Sequence, residues 1–204
     1  MTTKPNRPQF IRSTKTATPK HSKPNLPYHD HVAYTLSDAR RVRLFGEISM
    51  PAMAHIVNSL EFLVLKSTKK PIEIMLNSPG GSVVDGLAMY DFIMSIRKKT
   101  PINMTVAGAC MSMGAIILQA ATVRRAYEHS AFLLHEIRYD PGRETVSNHK
   151  DLEKHAAKMQ TKLDQIIVNR SNMTIAELKK LTERRDYTIS AQEALQHGLI
   201  DRIV

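Results

Sequence analysis

From about residue 40 the hydrophobic period of the chain switches repeatedly between two and 3.6, and this alternation limits the folds it can adopt. Arg41–Phe45 alternates and stops at Gly46, the pattern of a strand. Pro51 opens a helix to about Lys66, with Ile56, Leu60, Leu63 and Val64 on one face. Pro71 leads an alternating run to Leu76, which enters the turn Asn77-Ser-Pro-Gly-Gly81. A helix over about Val83–Arg97 follows, bearing Leu87, Tyr90 and Ile93. The pattern then predicts a strand at Ile102–Ala107 and a short apolar helix from Ser112 to about Ala121. Two brief strands are expected at Val123–Tyr127 and Ala131–Leu134. A long helix, about 147–170, carries Leu152, Ala156, Met159, Leu163 and Ile167 at helical spacing. Thr174 with Glu177, and Ser190 with Glu193, match the capping box that starts a helix, and Gly198 suits the stop of the last one. Strands alternating with helices predict an α/β architecture with mostly parallel strands.

The charge of the chain lies mainly ahead of this region. Residues 1–29 hold six Lys/Arg, no Asp or Glu, and five of the ten prolines, so they supply +6 of the formal +10. They also lack the apolar residues a core needs. Residues 1–31 are therefore read as a flexible basic tail or propeptide, and residues 32–204 as the folded domain. Because the charge belongs to the tail, whose only aromatics are Phe10 and Tyr28, no nucleic-acid partner is expected. The pair His29 and His31 falls in the same tail and is read as incidental rather than metal-binding. No apolar run approaches the roughly 20 residues of a membrane-spanning helix, so no membrane partner is expected. Cys110 is the single cysteine, which excludes an intrachain disulfide and the cysteine clusters of zinc sites. A cytoplasmic location, no metal and no cofactor are the corresponding expectations.

Two glycine-bearing turns carry the chemistry. Asn77-Ser-Pro-Gly-Gly-Ser82 joins a strand to a helix, and its glycines allow backbone N–H groups to approach a ligand closely. The same residues also suit an ordinary turn. Gly108-Ala-Cys-Met-Ser-Met-Gly114 again runs from strand to helix and puts Ser112 at a helix start, where unsatisfied N–H groups favour developing negative charge. Ser112 is thereby a candidate nucleophile or a simple helix cap. Position 110 is Cys rather than Gly, so the run is not the Gly-x-Ser-x-Gly elbow. A serine nucleophile needs a base and a group that orients the base. His135, at the end of the apolar strand Ala131–Leu134, is the best placed of nine histidines. Spacing alone does not choose the acid among Asp140, Asp164, Asp186 and Asp201.

Taken in order, these residues resemble ClpP, the proteolytic subunit family of the Clp ATP-dependent serine proteases. The resemblance runs from about Arg41 to Val204. It includes Gly46-Glu, Asn-Ser-Pro-Gly-Gly-Ser at 77–82, Gly86, Tyr90-Asp91 and Ser-Met-Gly-Ala at 112–115. It continues through His135, Asp186, Ser190, Ala194 and Gly198-Leu-Ile-Asp201. It implies an α/β ClpP/crotonase-like fold of stacked ββα units with a protruding handle helix, here at about 147–170. By the same resemblance Ser112 is the nucleophile, His135 the general base and Asp186 the orienting acid. Gly81 and Met113 match the two backbone donors of the oxyanion hole, and Arg185 a position that couples oligomerisation to triad alignment. The implied activity is endopeptidase cleavage of unfolded proteins or peptides inside a homo-oligomeric chamber of two stacked heptameric rings, with an AAA+ Clp ATPase as partner.

Departures from the family pattern accompany these matches. Ala109-Cys110-Met111 stands where the family has Gln-Ala-Ala, so Met111 is expected to narrow the site. Glu136-Ile137 replaces Gln-Pro after the base, which adds a carboxylate expected to raise the His135 pKa if it faces the ring. Glu73 and Met75 replace two aromatics of the ATPase-docking pocket, and the usual axial-loop sequence before Gly46 is lacking. The alternative reading is a catalytically weak structural or regulatory ring subunit that pairs with another ClpP-type subunit. A crotonase-like acyl-CoA enzyme and a membrane-bound signal-peptide peptidase relative are disfavoured, by the triad set and the missing span.

Overall fold

A computed structural model describes residues 27–140, 142–143 and 145–204. The element order is α1 (Tyr28–Asp38), β1 (Arg41–Phe45), α2 (Met50–Lys66), β2 (Ile72–Ser78), α3 (Val83–Ile96), β3 (Ile102–Met111) and α4 (Met113–Leu118). There follow β4 (Val123–Ala126), β5 (Ala131–Leu134), α5 (Val146–Val168), α6 (Ile175–Thr182), β6 (Tyr187–Ser190), α7 (Ala191–Gln196) and β7 (Arg202–Ile203). The α/β architecture stands, and all strand pairs are parallel except β5 with β6. The basic tail as read lies outside the described residues up to 26, and α1 covers its last four positions.

Strand β3 organises the sheet. It runs ten residues, to Met111, rather than stopping at Ala107 as the sequence pattern suggests. Its first half pairs with β4 (Asn103–Val106) and its last three residues pair with β5 (Ala109–Met111). The two halves meet at Gly108, where the backbone takes φ +103. The Asn77 side chain fills the bend, its Oδ1 accepting from the Ala109 amide at 2.9 Å, beside the register shift between Leu76 and Ser78. A strand divided in this way keeps one neighbour near the core and brings another to the site. Alternate β3 residues Ile102, Met104, Val106 and Cys110 are buried, as period two requires.

The helices follow their sequence signals closely. Both capping boxes form, Thr174 with Glu177 on α6 and Ser190 with Glu193 on α7, and Gly198 closes the chain after α7 at φ +72. In α5 only Leu163, Asp164 and Ile167 are buried. Leu152, on the same stripe, is 39% exposed, so the first half of the long helix is not covered by its own chain. No helix among the described residues is long and apolar enough to cross a membrane.

The last strand is tied to the core by one arginine. Arg124, buried on β4, donates through Nη1 to Gln119 Oε1 at 2.6 Å and to the carbonyls of Arg170 and Gly198. Its Nη2 meets Asp201 Oδ1 at 2.5 Å, and Asp201 Oδ2 accepts from the Arg124 amide at 2.7 Å. One guanidinium therefore links β4, α4, the end of α5, the α7 stop and the approach to β7. Burial pushes the Asp201 carboxyl up, but its bonds to Arg124 outweigh this and hold it below the usual carboxylate range.

Replacing Asp201 by Asn leaves Arg124 buried without a countercharge and is expected to cost about 3 kcal/mol in denaturant unfolding. The folded-state pKa of Asp201 is depressed, so this contribution is present above the ordinary carboxylate pKa of about 4 and is lost as pH falls below it. The variant should match the parent only in strong acid. Equal stability at pH 7 would show that Arg124 is held without Asp201.

Candidate functional site

The site begins where β3 becomes α4. Ser112 sits at that corner with φ 52 and ψ −122, a left-handed conformation that a residue with a Cβ adopts only under constraint. Such strain costs about 1–3 kcal/mol and collects at functional positions. The Ser112 hydroxyl does not cap the helix, which removes the simpler reading of this residue. Its amide continues the sheet by donating to the Leu133 carbonyl at 2.8 Å, and its carbonyl accepts from Ala115 at 3.0 Å. The backbone is thus fixed on both sides while the hydroxyl stays free of the helix.

The turn is a sharp strand-to-helix corner without the Gly-x-Ser-x-Gly sequence. Gly80, from the neighbouring turn, leaves the room that the Ser112 side chain needs, whereas Gly114 packs on Ser78. A Cβ on Gly80 would come within 2.6 Å of the Ser112 Cβ and 3.1 Å of its Oγ. Gly80 is therefore the glycine that touches the serine, and sequence reasoning passed over it in favour of its neighbour. The signal was present in the Gly80-Gly81 pair but could not say which residue meets Ser112. Gly80 is held in place by its amide, which donates to the buried Ser78 hydroxyl at 3.1 Å.

Gly81 packs against the chain after β1, where a Cβ would come within 2.3 Å of the Ile48 carbonyl. The amides of Gly81 and of Met113, the first residue of α4, find no acceptor among the described residues. The Met113 side chain is buried against Gly86 of α3, which fixes the start of α4. Gly81, Ser112, Met113, His135, Arg138 and Asp164 all line one cavity of about 190 Å³.

Strand register brings His135 and Asp186 to the ends of adjacent strands. Met111 pairs with Leu133 in the β3–β5 ladder, so Ser112 and His135 leave adjacent strands side by side. Leu134 pairs with Tyr187 in the antiparallel β5–β6 ladder, and the next pair outward is His135 with Asp186. Their side chains are engaged elsewhere. His135 Nδ1 lies against the Glu136 carbonyl, and the Asp186 carboxylate forms an ion pair with Arg138. Asp186 is exposed and does not line the cavity. Arg185 donates to the carbonyls of Leu181 and Lys180 at the end of α6, through Nε at 2.8 Å and Nη2 at 2.7 Å.

The departures read from the sequence find definite positions. Met111 does not line the cavity. The Glu136 carboxylate turns away from the imidazole and accepts from the Arg184 amide at 3.1 Å. Glu73 bonds Asn103 Nδ2 at 2.7 Å and pairs with Arg125. Cys110 is fully buried, and burial pushes its thiol pKa far up, so it is a packing residue and not a reactive one. Arg138 carried no sequence signal, because its partner is 48 residues away.

Residues 26–204 match the Clp protease family. The chain is 33% identical over 174 residues, 84% of it and 86% of the relative, to an ATP-dependent Clp protease proteolytic subunit 3 of Synechococcus sp. (strain CC9902). It is 33% identical over 169 residues, 81% of the chain and 80% of the relative, to a proteolytic subunit 2 of Chlamydia pneumoniae. A proteolytic subunit 1 of Protochlamydia amoebophila (strain UWE25) is 29% identical over 197 residues, 93% of the chain and 94% of the relative.

The close approach of Gly80 to Ser112 makes a direct prediction. Gly80→Ala should cost about 1–3 kcal/mol more in denaturant unfolding than Gly46→Ala. Both positions have positive φ, but a Cβ at Gly46 meets nothing within 4 Å. Equal losses would show that the Ser112 corner has room to relax.

Proposed function

The chain belongs to the Clp protease family, and from that premise we propose that it is a serine endopeptidase that cleaves unfolded proteins or peptides. The observation that carries this reading is Ser112, held at a strained corner on one cavity with His135 and the two acceptor-free amides of Gly81 and Met113. In the proposed reaction His135 takes the Ser112 hydroxyl proton as Oγ bonds to the substrate carbonyl carbon. The carbonyl oxygen becomes an oxyanion, for which Gly81 and Met113 supply N–H donors. His135 then returns the proton to the leaving nitrogen, the C–N bond breaks, and water hydrolyses the Ser112 ester by the same route. One such donor is typically worth about 3–4 kcal/mol in the transition state.

Asp186 is the proposed orienting acid, and this role requires an exchange of partners. It must leave Arg138 and accept from His135 Nδ1, while the imidazole leaves the Glu136 carbonyl. The exchange is inexpensive, because the Arg138 and Asp186 side chains are 70% and 42% exposed and such pairs contribute about 0–1 kcal/mol. Assembly into two stacked heptameric rings is proposed as the condition that favours it, with Arg185 near the contact. The uncovered first half of α5 supports its use as the handle between rings. The relatives' names speak of ATP dependence, and a AAA+ Clp ATPase is the proposed source of unfolded substrate, in the cytoplasm.

A second reading has one observation in its favour. Asp186 on Arg138 and His135 on Glu136 describe a resting site, as a structural or regulatory ring subunit mixed with a more active partner would have.

Hydrolysis of a denatured fluorescent protein, measured together with particle mass by light scattering, separates the two. A peptidase should form a multi-subunit particle whose activity falls about 10⁶-fold in Ser112→Ala and about 10⁴-fold in Asp186→Asn. Arg138→Met should leave assembly intact and raise the rate by freeing Asp186. An assembled particle inactive in both the parent and Arg138→Met would favour the second reading.

A further inference from the structure

The cavity beside Ser112 contains a group that the proposed reaction does not use. It lies between α4, β5, α5 and α6, with walls from Ile116, Leu134, Ile137, Leu163, Ile167 and Leu178. Among these apolar walls sits Asp164, a carboxylate only 6% exposed. Its Oδ1 accepts from Gln160 Nε2 at 2.7 Å, and its Oδ2 takes no hydrogen bond among the described residues. A buried carboxylate costs free energy unless its oxygens are satisfied. Here one oxygen is bonded and the other is free, on a residue that lines both this cavity and the more polar cleft beside Lys179 and Glu183.

The surroundings do not neutralise it. Burial pushes the Asp164 carboxyl above the usual carboxylate range, the Gln160 bond and the Lys179 charge pull it down, and the Glu136 charge adds to the upward push. Arg138, which the proposed exchange would release from Asp186, lines the same cavity but forms no ion pair with Asp164 among the described residues, and Thr182 turns its hydroxyl onto the Leu178 carbonyl at 3.0 Å. No side-chain donor among the described residues meets Asp164 Oδ2. An apolar sleeve with one free acceptor suits a long aliphatic stem that ends in a donor. A purely aliphatic side chain would leave the acceptor buried and unpaired, and an acidic one would place two like charges together.

Accordingly, we propose that Asp164 sets the specificity of the site, so that the cavity takes the substrate side chain next to the scissile bond and prefers lysine there to leucine or glutamate. This rests on the peptidase reading above, since it names the substrate of the same site. Asp164 acts here on the substrate side chain and has no part in the bond-making steps. The free side chain chemistry can be tested apart from hydrolysis, because an alkylammonium ion alone should enter the sleeve.

The experiment has two arms, each on the full chain. In the first, n-butylammonium chloride and the neutral isostere 1-fluorobutane are titrated while the methyl resonances of Met113 and Ile116 are followed. The ammonium ion should bind at least tenfold more tightly, and Asp164→Asn, which keeps the size and shape of the side chain, should remove that difference. Equal binding of the two probes, or a difference untouched in Asp164→Asn, would overturn the inference. Asp164→Leu, checked for folding by circular dichroism, should bind the neutral probe better than the parent does.

In the second arm, fluorogenic peptides differ only in the residue before the scissile bond, as Lys, Leu or Glu. The parent should show kcat/KM at least tenfold higher for Lys than for Leu, and Asp164→Asn should cut that ratio several-fold. Cleavage with Leu preferred in the parent would sink the specificity inference and leave the peptidase reading intact. No cleavage of any peptide by the assembled particle would count against the peptidase reading, and the titration would then decide the role of Asp164 by itself.

Discussion

The corner at Ser112 is the constraint on which the rest of the site depends. A serine at φ 52 between a strand and a helix needs both neighbours fixed and the space around its Cβ cleared. The β3–β5 ladder fixes one side, α4 fixes the other, and Gly80 clears the space. Each requirement reaches back into the fold. The ladder exists because β3 is long enough to change partners at Gly108, and Asn77 pins that change from β2. The start of α4 is set by Met113 packing on Gly86 of α3. The two glycine-bearing turns are therefore one structure, each incomplete without the other.

The same register explains why a serine, a histidine and an aspartate far apart in the chain lie at the ends of neighbouring strands. They occupy the first positions beyond the ends of three consecutive strands, β3, β5 and β6. Placing them costs no special loop. Orienting them is a separate matter, governed by weak and exposed contacts such as Arg138 with Asp186. A site whose backbone is rigid and whose charged side chains are held by contacts worth about 0–1 kcal/mol can be rearranged at little cost.

Much of the fold was legible in the sequence because its signals are local. The capping boxes at Thr174 and Ser190, the alternation in Ile72–Leu76 and the glycine stop at 198 all act within a few residues. The positions of Ser112 and His135 at strand ends were also legible, since each lies at the end of an apolar run beside a turn or helix start. What stayed hidden depended on partners remote in the chain. The last four residues of β3 look like a loop until β5 is placed beside them. Helix α1 was read in part as tail because polar residues dominate it. Gly80 and Gly81 cannot be told apart without Ser112 in space. Arg138 and the inward aim of Asp164 depend on elements packed by the whole fold, although an aspartate next to Leu163 of the apolar stripe was a usable hint.

The role proposed for Ser112 is that of an activated nucleophile in the assembled protein. The most direct measurement is reaction of the purified full chain with a fluorophosphonate, followed by mass-spectrometric mapping of the adduct. A single phosphonyl group on Ser112, absent from Ser112→Ala and slowed in His135→Ala, is the predicted result. An assembled particle that takes up no probe, or takes it up at another serine, would contradict the claim.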